Sequence, residues 1–263
     1  MQNIFVDIFT GKYADRVNAI QAISIFESFS ELLPAGERGD NVIARLVDRL
    51  IEVDLLSRAS EVLEKQIKHR LKGGNKLLAQ LQQARVLLLD QKPQAALNII
   101  LGLDKEIIKS GKEYAEEAQV LRARALSKLD KSQQALNVVN RLSENDRVLA
   151  LKSDIAWQNA DWTIAADALE KRLNLREIDT SAEPTDKDVI LILNLAIAYK
   201  LSSLDEKLKS LKQNYQSYMV SSPQHKLFQI VTRKPEEARI NDRDEILSFV
   251  AEVDLFQDVL NDF

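Results

Sequence analysis

The chain contains no cysteine. Disulfides, thiolate nucleophiles and Cys-ligated zinc or iron–sulfur clusters are therefore excluded. The compartment stays open, because a cysteine-free chain suits cytoplasm and periplasm alike. Turn-forming residues are scarce, with 7 glycines and 5 prolines in 263 residues. Compact β-rich folds need frequent turn residues, so this scarcity points to long helices joined by short connections. A strong excess of either charge is missing too: the net charge is −4, with Lys and Arg spread among acidic residues. Nothing electrostatic favours a nucleic acid as partner. The most apolar run, Val189 to Tyr199, is interrupted by Asn194 and is too short to span a bilayer. The opening MQNIFVDIFTGKYADR lacks a basic segment followed by an apolar one, so no targeting signal is expected.

What is present is helix-forming. Ala, Leu, Glu, Lys, Gln and Arg dominate, and these residues lose least on entering a helix. Residues 1–14 read as irregular or loosely helical, and 15–32 carry a rough apolar stripe through Val17, Ile20, Ile23, Phe26 and Phe29. After Pro34, Gly36 and Gly39, Asp40 is placed to cap a helix over 41–52, followed by one over 55–71 that Gly73–Gly74 ends. Within the latter, Glu61–Lys65 and Glu64–Lys68 have favourable i,i+4 spacing. Helix pairs then follow at 77–89 with 93–108, 113–129 with 132–143, 146–159 with 162–175 and 188–202 with 205–219. Pro93 suits a first helical turn, Asp161 an N-cap, and Thr185 with Asp188 a variant capping box. A short helix from Ser222–Pro223 to about 232 and a last one over about 243–260 close the chain. The last carries Ile246, Phe249, Val250, Val253 and Phe256, an apolar face suited to a cap.

Small residues recur twelve positions apart: Ala84 with Ala96, Ala123 with Ala135, Ser153 with Ala165. In an antiparallel helix pair, a small side chain on each helix at the crossing lets the backbones approach closely. This spacing resembles the tetratricopeptide repeat, a helix–turn–helix unit with small residues at its eighth and twentieth positions. Asp161-Trp162-Thr163-Ile164-Ala165 is similar to the family's turn into its second helix, and Leu195-Ala196 with Tyr199 to its first-helix motif. The copies depart from the family. Ala59, Ala96, Ala135 and Ala165 are 37, 39 and 30 residues apart, Leu208 stands where alanine is usual, and Gln80 and Gln119 replace the usual tryptophan. The resemblance implies an all-α α-solenoid of stacked antiparallel helix pairs, about twelve or thirteen helices with no β-sheet. It implies one continuous domain over 1–263: an N-terminal helix and loop (1–40), TPR-like helix pairs (41–219) and C-terminal capping helices (220–263). The stretch Leu33 to Gly73 also resembles the C-terminal part of large alphaproteobacterial repeat proteins, which implies that the chain is the end of something longer.

Little in the sequence carries chemistry. His69 and His225 are far apart and in no metal-ligand spacing, so each reads as a surface or helix-end residue, and no metal or cofactor is expected. Gly73-Gly74-Asn75-Lys76 lacks the spacing of a phosphate loop. Glu116–Glu117 and Glu236–Glu237 are sequence neighbours and point apart on a helix. The run Lys65, Lys68, His69, Arg70, Lys72 and Lys76 suits a helix C-terminus, with an acidic partner as the functional alternative.

The resemblance implies a concave groove lined by first helices. It places Arg85, Arg124, Asp154 and Ile197 there, with Leu88, Ser127, Trp157 and Lys200 three residues further on and Lys128 nearby. Arginines suit an acidic peptide through bidentate bonds, and tryptophan is a frequent interface anchor. The expectation is thus a non-catalytic protein- or peptide-binding scaffold using Arg85, Arg124, Lys128, Asp154, Trp157 and Lys200. If Arg85, Arg124 and Trp157 are buried or internally paired, that specific form is lost. Two alternatives remain. One is a structural segment contacting partners through its ends, which exposed apolar residues within 1–30 would support. The other is an enzyme or small-ligand sensor, which an enclosed pocket with converging polar groups would favour.

Overall fold

The computed structural model describes residues 1–11, 16–103, 112–233, 246, 247 and 250. These form thirteen α-helices and one 3-10 turn, with no strand among the described residues. The helices are α1 (Gln2–Thr10), α2 (Ala19–Ser28), α3 (Glu37–Glu52), α4 (Leu56–His69), α5 (Gly73–Leu89), α6 (Pro93–Gly102), α7 (Lys112–Lys128), α8 (Ser132–Val139), α9 (Asp146–Gln158), α10 (Trp162–Asn174), α11 (Asp186–Leu201), α12 (Asp205–Val220) and α13 (His225–Val231). The chain divides into two compact units, Met1–Asp130 and Lys131–Phe263. Within each, helices adjacent in sequence pack on one another. Of the expected last helix over 243–260, residues 246, 247 and 250 are described and helical; Phe249, Val253 and Phe256 lie outside the described residues, as do Glu236 and Glu237.

One turn recurs. Asp54, Gln91, Asp130, Ala160 and Ser203 all have positive φ, between 53° and 60°. At four of them the next N–H donates back five residues: Leu55 to the Leu50 carbonyl (2.8 Å), Lys92 to Leu87 (2.8 Å), Asp161 to Ala156 (2.8 Å) and Leu204 to Tyr199 (2.9 Å). This is the Schellman closure, which satisfies carbonyls that the helix end leaves open and reverses the chain. Five residues after each turn residue stand Ala59, Ala96, Ala135, Ala165 and Leu208; seven before stand Val47, Ala84, Ala123, Ser153 and Ala196. All ten are buried, and all but Leu208 have no exposed surface. The twelve-residue spacing is therefore constant, and the uneven repeat length arises in the links between helix pairs.

A non-glycine residue in the left-handed region costs about 1–2 kcal/mol. Ala160→Gly is accordingly expected to stabilise the chain by about 0.5–1 kcal/mol, after the added freedom of the unfolded glycine. A urea midpoint that falls would show that Ala160 contributes contacts its φ does not reveal.

Several helix ends differ from the sequence reading. Residues 2–10 form a regular helix because Phe5, Val6 and Phe9 are buried against the core of unit 1. Helix α3 starts at Glu37 with Gly36 (φ 74°) at its N-cap, so Asp40 lies inside the first turn instead of capping it. Helix α4 ends at His69, and Gly73–Gly74 opens α5 rather than stopping α4. Asp161 occupies an N-cap position without a side-chain cap bond, and its carboxylate accepts from Asn159 (2.6 Å). Thr185 caps α11 as read, accepting from the Asp188 N–H (3.3 Å).

In unit 2, α11 is buried all round from Leu191 to Tyr199. Asn194 stands in the middle of that run, 1% exposed, and its Oδ1 has no hydrogen-bond partner among the described residues. An unsatisfied buried acceptor costs about 1–3 kcal/mol. Asn194→Leu is expected to raise the denaturation midpoint by the equivalent of about 1–2 kcal/mol. A lowered midpoint would mean that the amide is satisfied, for example by water.

A candidate binding cleft in unit 1

The six side chains expected to line a groove are engaged inside their own fold. In unit 1, the Arg85 guanidinium pairs with Glu117 (2.9 Å), with both side chains mostly covered. Arg124 is 1% exposed. Lys128 is half-buried and also has an internal partner. In unit 2, Asp154 has no exposed surface, and Gln158 Nε2 donates to both of its carboxylate oxygens (3.1 Å each). Trp157 is 3% exposed, lies edge-on to Trp162 (centroids 5.4 Å, 87°), and donates from Nε1 to the Val250 carbonyl (3.2 Å). Lys200 Nζ donates to the Arg233 carbonyl (3.2 Å). Leu88, Ser127 and Ile197 are buried as well. The groove reading thus loses its specific form: Arg124, Asp154 and Trp157 offer almost no surface, and Arg85 is already matched by a carboxylate. The family resemblance placed these residues on the groove-facing side of each first helix. It cannot say whether that face is open.

Unit 1 holds a different opening. Helices α2 and α4 each pack on α3 and far less on each other. A cleft of about 550 Å³ lies between them. Its floor is Ile43, Leu46 and Leu50 of α3, spaced i, i+3 and i+7, and its walls are Ile23 and Phe26 of α2 and Val62 of α4, with Leu33 beside them. The floor is almost without exposed surface, whereas Ile23, Phe26, Leu33 and Val62 are half-buried. The cleft therefore exposes its walls more than its floor. Phe26 is held in place by Phe9 (6.2 Å, edge-on at 85°) and Phe5 (6.5 Å). The volume falls in the ordinary range for binding pockets, ~300–1,000 Å³.

The mouth of the cleft is polar, with Arg58, Lys65, His69 and Arg70 on α4 and its end, Glu61 among them, and Glu27 on α2. Arg58, Val62, Lys65 and His69 follow one another along one face of α4 at helical spacing. Arg58 bonds Glu61 (2.7 Å); that bond, the Glu61 charge and nearby Glu27 push the guanidinium above its ordinary pKa. The pairing takes Glu61 away from Lys65, its expected partner. Arg70 Nη2 donates to the Pro34 carbonyl (2.9 Å) and pairs with Asp40 (3.4 Å), closing one end. Gly39 makes this closure possible, because a Cβ there would run into the Pro34 carbonyl and the Arg70 guanidinium. Among the described residues Lys65 and His69 have no ion-pair or hydrogen-bond partner, and both are exposed. Part of the basic run read as a helix-end preference thus stands over an apolar cleft. The sequence signal was the i,i+4 spacing of Lys65 and His69 beside Val62. The missing knowledge was that α2 leaves this face of α4 uncovered.

Among the described residues no cluster of three or more His, Asp or Glu could hold a metal ion, and no helix is long and apolar enough to cross a membrane. No protein-family model matches the chain, and no curated protein matches its sequence.

Proposed function

We propose that the chain is a non-catalytic protein- or peptide-binding scaffold built of TPR-like helix pairs, and that its binding surface is the cleft of unit 1. The observation that carries this reading is the pairing of incompletely covered apolar walls with the unpaired Lys65 ammonium and the exposed His69 imidazole at one mouth. An apolar recess with a few polar groups at its rim is the usual form of a recognition site. The recurring Schellman turn and the buried small residues support the helix-pair class. The six groove positions are set aside, since their polar groups are engaged internally.

The test is affinity capture from a native lysate with three baits: the wild type, Val62→Trp, which fills the cleft, and Lys200→Ala in unit 2. Circular dichroism first checks that all three keep their helicity. A protein retained by the wild type and Lys200→Ala but lost by Val62→Trp is the expected result. Equal retention by all three would overturn the cleft as the functional surface.

One observation favours a second reading, a structural segment that contacts partners through its N-terminal end. Met1, Ile4, Ile20 and Phe29, four of the exposed large apolar side chains, all fall within residues 1–30. On that reading Ile4→Glu with Ile20→Glu, and not Val62→Trp, would abolish capture.

A further inference from the structure

The chemistry of the cleft restricts what it can hold. Its walls are two helices, and the stripe from Arg58 to His69 on α4 is about 16 Å long at 1.5 Å per residue. A third helix laid along them would find a recess matched to two or three turns. The cleft's floor residues are buried and its walls half covered, so contact falls to large apolar side chains inserted between Phe26 and Val62. Such a stripe repeats at i, i+3 and i+7, the standard mode for a helix in a groove. The charges of the rim place the occupant's carboxylates on the α4 side. On the α4 side Arg58 and Arg70 are matched by Glu61 and Asp40, which leaves the Lys65 ammonium unpaired one turn from the His69 imidazole, while Glu27 stands on the α2 side. At the α4 rim an approaching carboxylate meets the unpaired Lys65 ammonium, whereas a lysine meets repulsion there and finds a carboxylate only at Glu27 across the cleft.

Resting on the scaffold reading above, we propose that this cleft takes an acidic amphipathic helix from a partner protein, its apolar stripe between Phe26 and Val62 and its carboxylates on Lys65 and His69. The attraction is at the rim, so it weakens with salt, and it selects the sign of the partner's charge more than it adds affinity.

The experiment is a charge swap read by fluorescence polarisation. The probes are two labelled helix-forming peptides of about 14 residues with leucines at helical spacing, one flanked by glutamates and its twin by lysines. Each is titrated with the full chain as wild type, Lys65→Glu and Val62→Trp. Lys65 is exposed, so its reversal leaves the fold intact, which circular dichroism confirms. The expected result is saturable binding of the acidic peptide to the wild type, weakened about tenfold by Lys65→Glu and abolished by Val62→Trp. The lysine twin should bind Lys65→Glu better than it binds the wild type. If both peptides bind both proteins with one affinity, charge selection is overturned while the scaffold reading survives. If neither peptide binds and sodium dodecanoate binds one to one, the cleft is a small-molecule site, and both proposals fall.

Discussion

Truncating Phe9 to alanine is expected to cost about 3–5 kcal/mol, the largest effect of any substitution considered for unit 1. Phe9 is 1% exposed and packs on Phe5 (5.1 Å) and edge-on to Phe26 (6.2 Å). Its removal deletes an apolar ring and also leaves a void between α1 and the α2–α3 layer, which close-packed neighbours refill only in part. Phe26 loses its backing, so the cleft wall should loosen with it. Far-UV circular dichroism against urea reads the loss. A conservative Phe9→Leu should recover most of it, because leucine keeps the apolar volume. A loss under 1 kcal/mol for Phe9→Ala would mean that α1 does not seal the core of unit 1.

The second large effect is expected from an enlargement. Ala165→Leu places three extra carbon atoms at the crossing of α9 and α10, opposite Ser153, where both residues have no exposed surface. Overpacking of this kind costs about 1–3 kcal/mol and more where a backbone must move. Here the neighbours are the backbones of two antiparallel helices tied by a Schellman turn at Ala160, so the upper end is expected. The same station in the next pair holds Leu208, opposite Ala196, at 5% exposure. That pair has adjusted to a larger side chain, so Leu208→Ala should also destabilise, by about 2–4 kcal/mol, although it restores the residue usual in the resembled family. Trp157 and Trp162, the two tryptophans, both lie in unit 2 and report its unfolding. If Ala165→Leu leaves the fluorescence midpoint unchanged, small size at this station is not what sets the crossing.

These stations were the most legible feature of the sequence. Alanine or serine twelve residues apart is a steric statement, and the buried positions Ala84, Ala96, Ser153 and Ala165 follow from it directly. The turn between them was hidden, because Asp, Gln, Ala and Ser, not glycine, take the left-handed φ. Asp tolerates that conformation, but helix closure and packing force it on Gln91, Ala160 and Ser203, which have no intrinsic preference for it. Gly73–Gly74 misled in the opposite way: glycine beside a basic run signals a helix stop, yet α4 had already ended at His69.

The site was the least legible. Arg124, Asp154 and Trp157 carry polar groups that the groove reading assigned to a surface, and each is buried. The Trp157 indole finds its acceptor at Val250, 93 residues away, which no local pattern encodes. The cleft was missed for the complementary reason. Ile23, Phe26 and Val62 read as ordinary core positions, and only the loose packing of α2 against α4 leaves them half covered. Patterning fixes which residues want burial. It does not fix whether the fold supplies enough atoms to bury them.

The measurement that reaches the central claim most directly is a methyl NMR titration of the full chain with the acidic amphipathic peptide. Isoleucine, leucine and valine methyls sample both units. Ile23, Leu33 and Val62 should shift together and saturate with one affinity, while Leu169 and Leu193 in the core of unit 2 stay unmoved. Shifts confined to unit 2, or none at saturating peptide, would contradict the assignment of the binding surface to the cleft between α2 and α4.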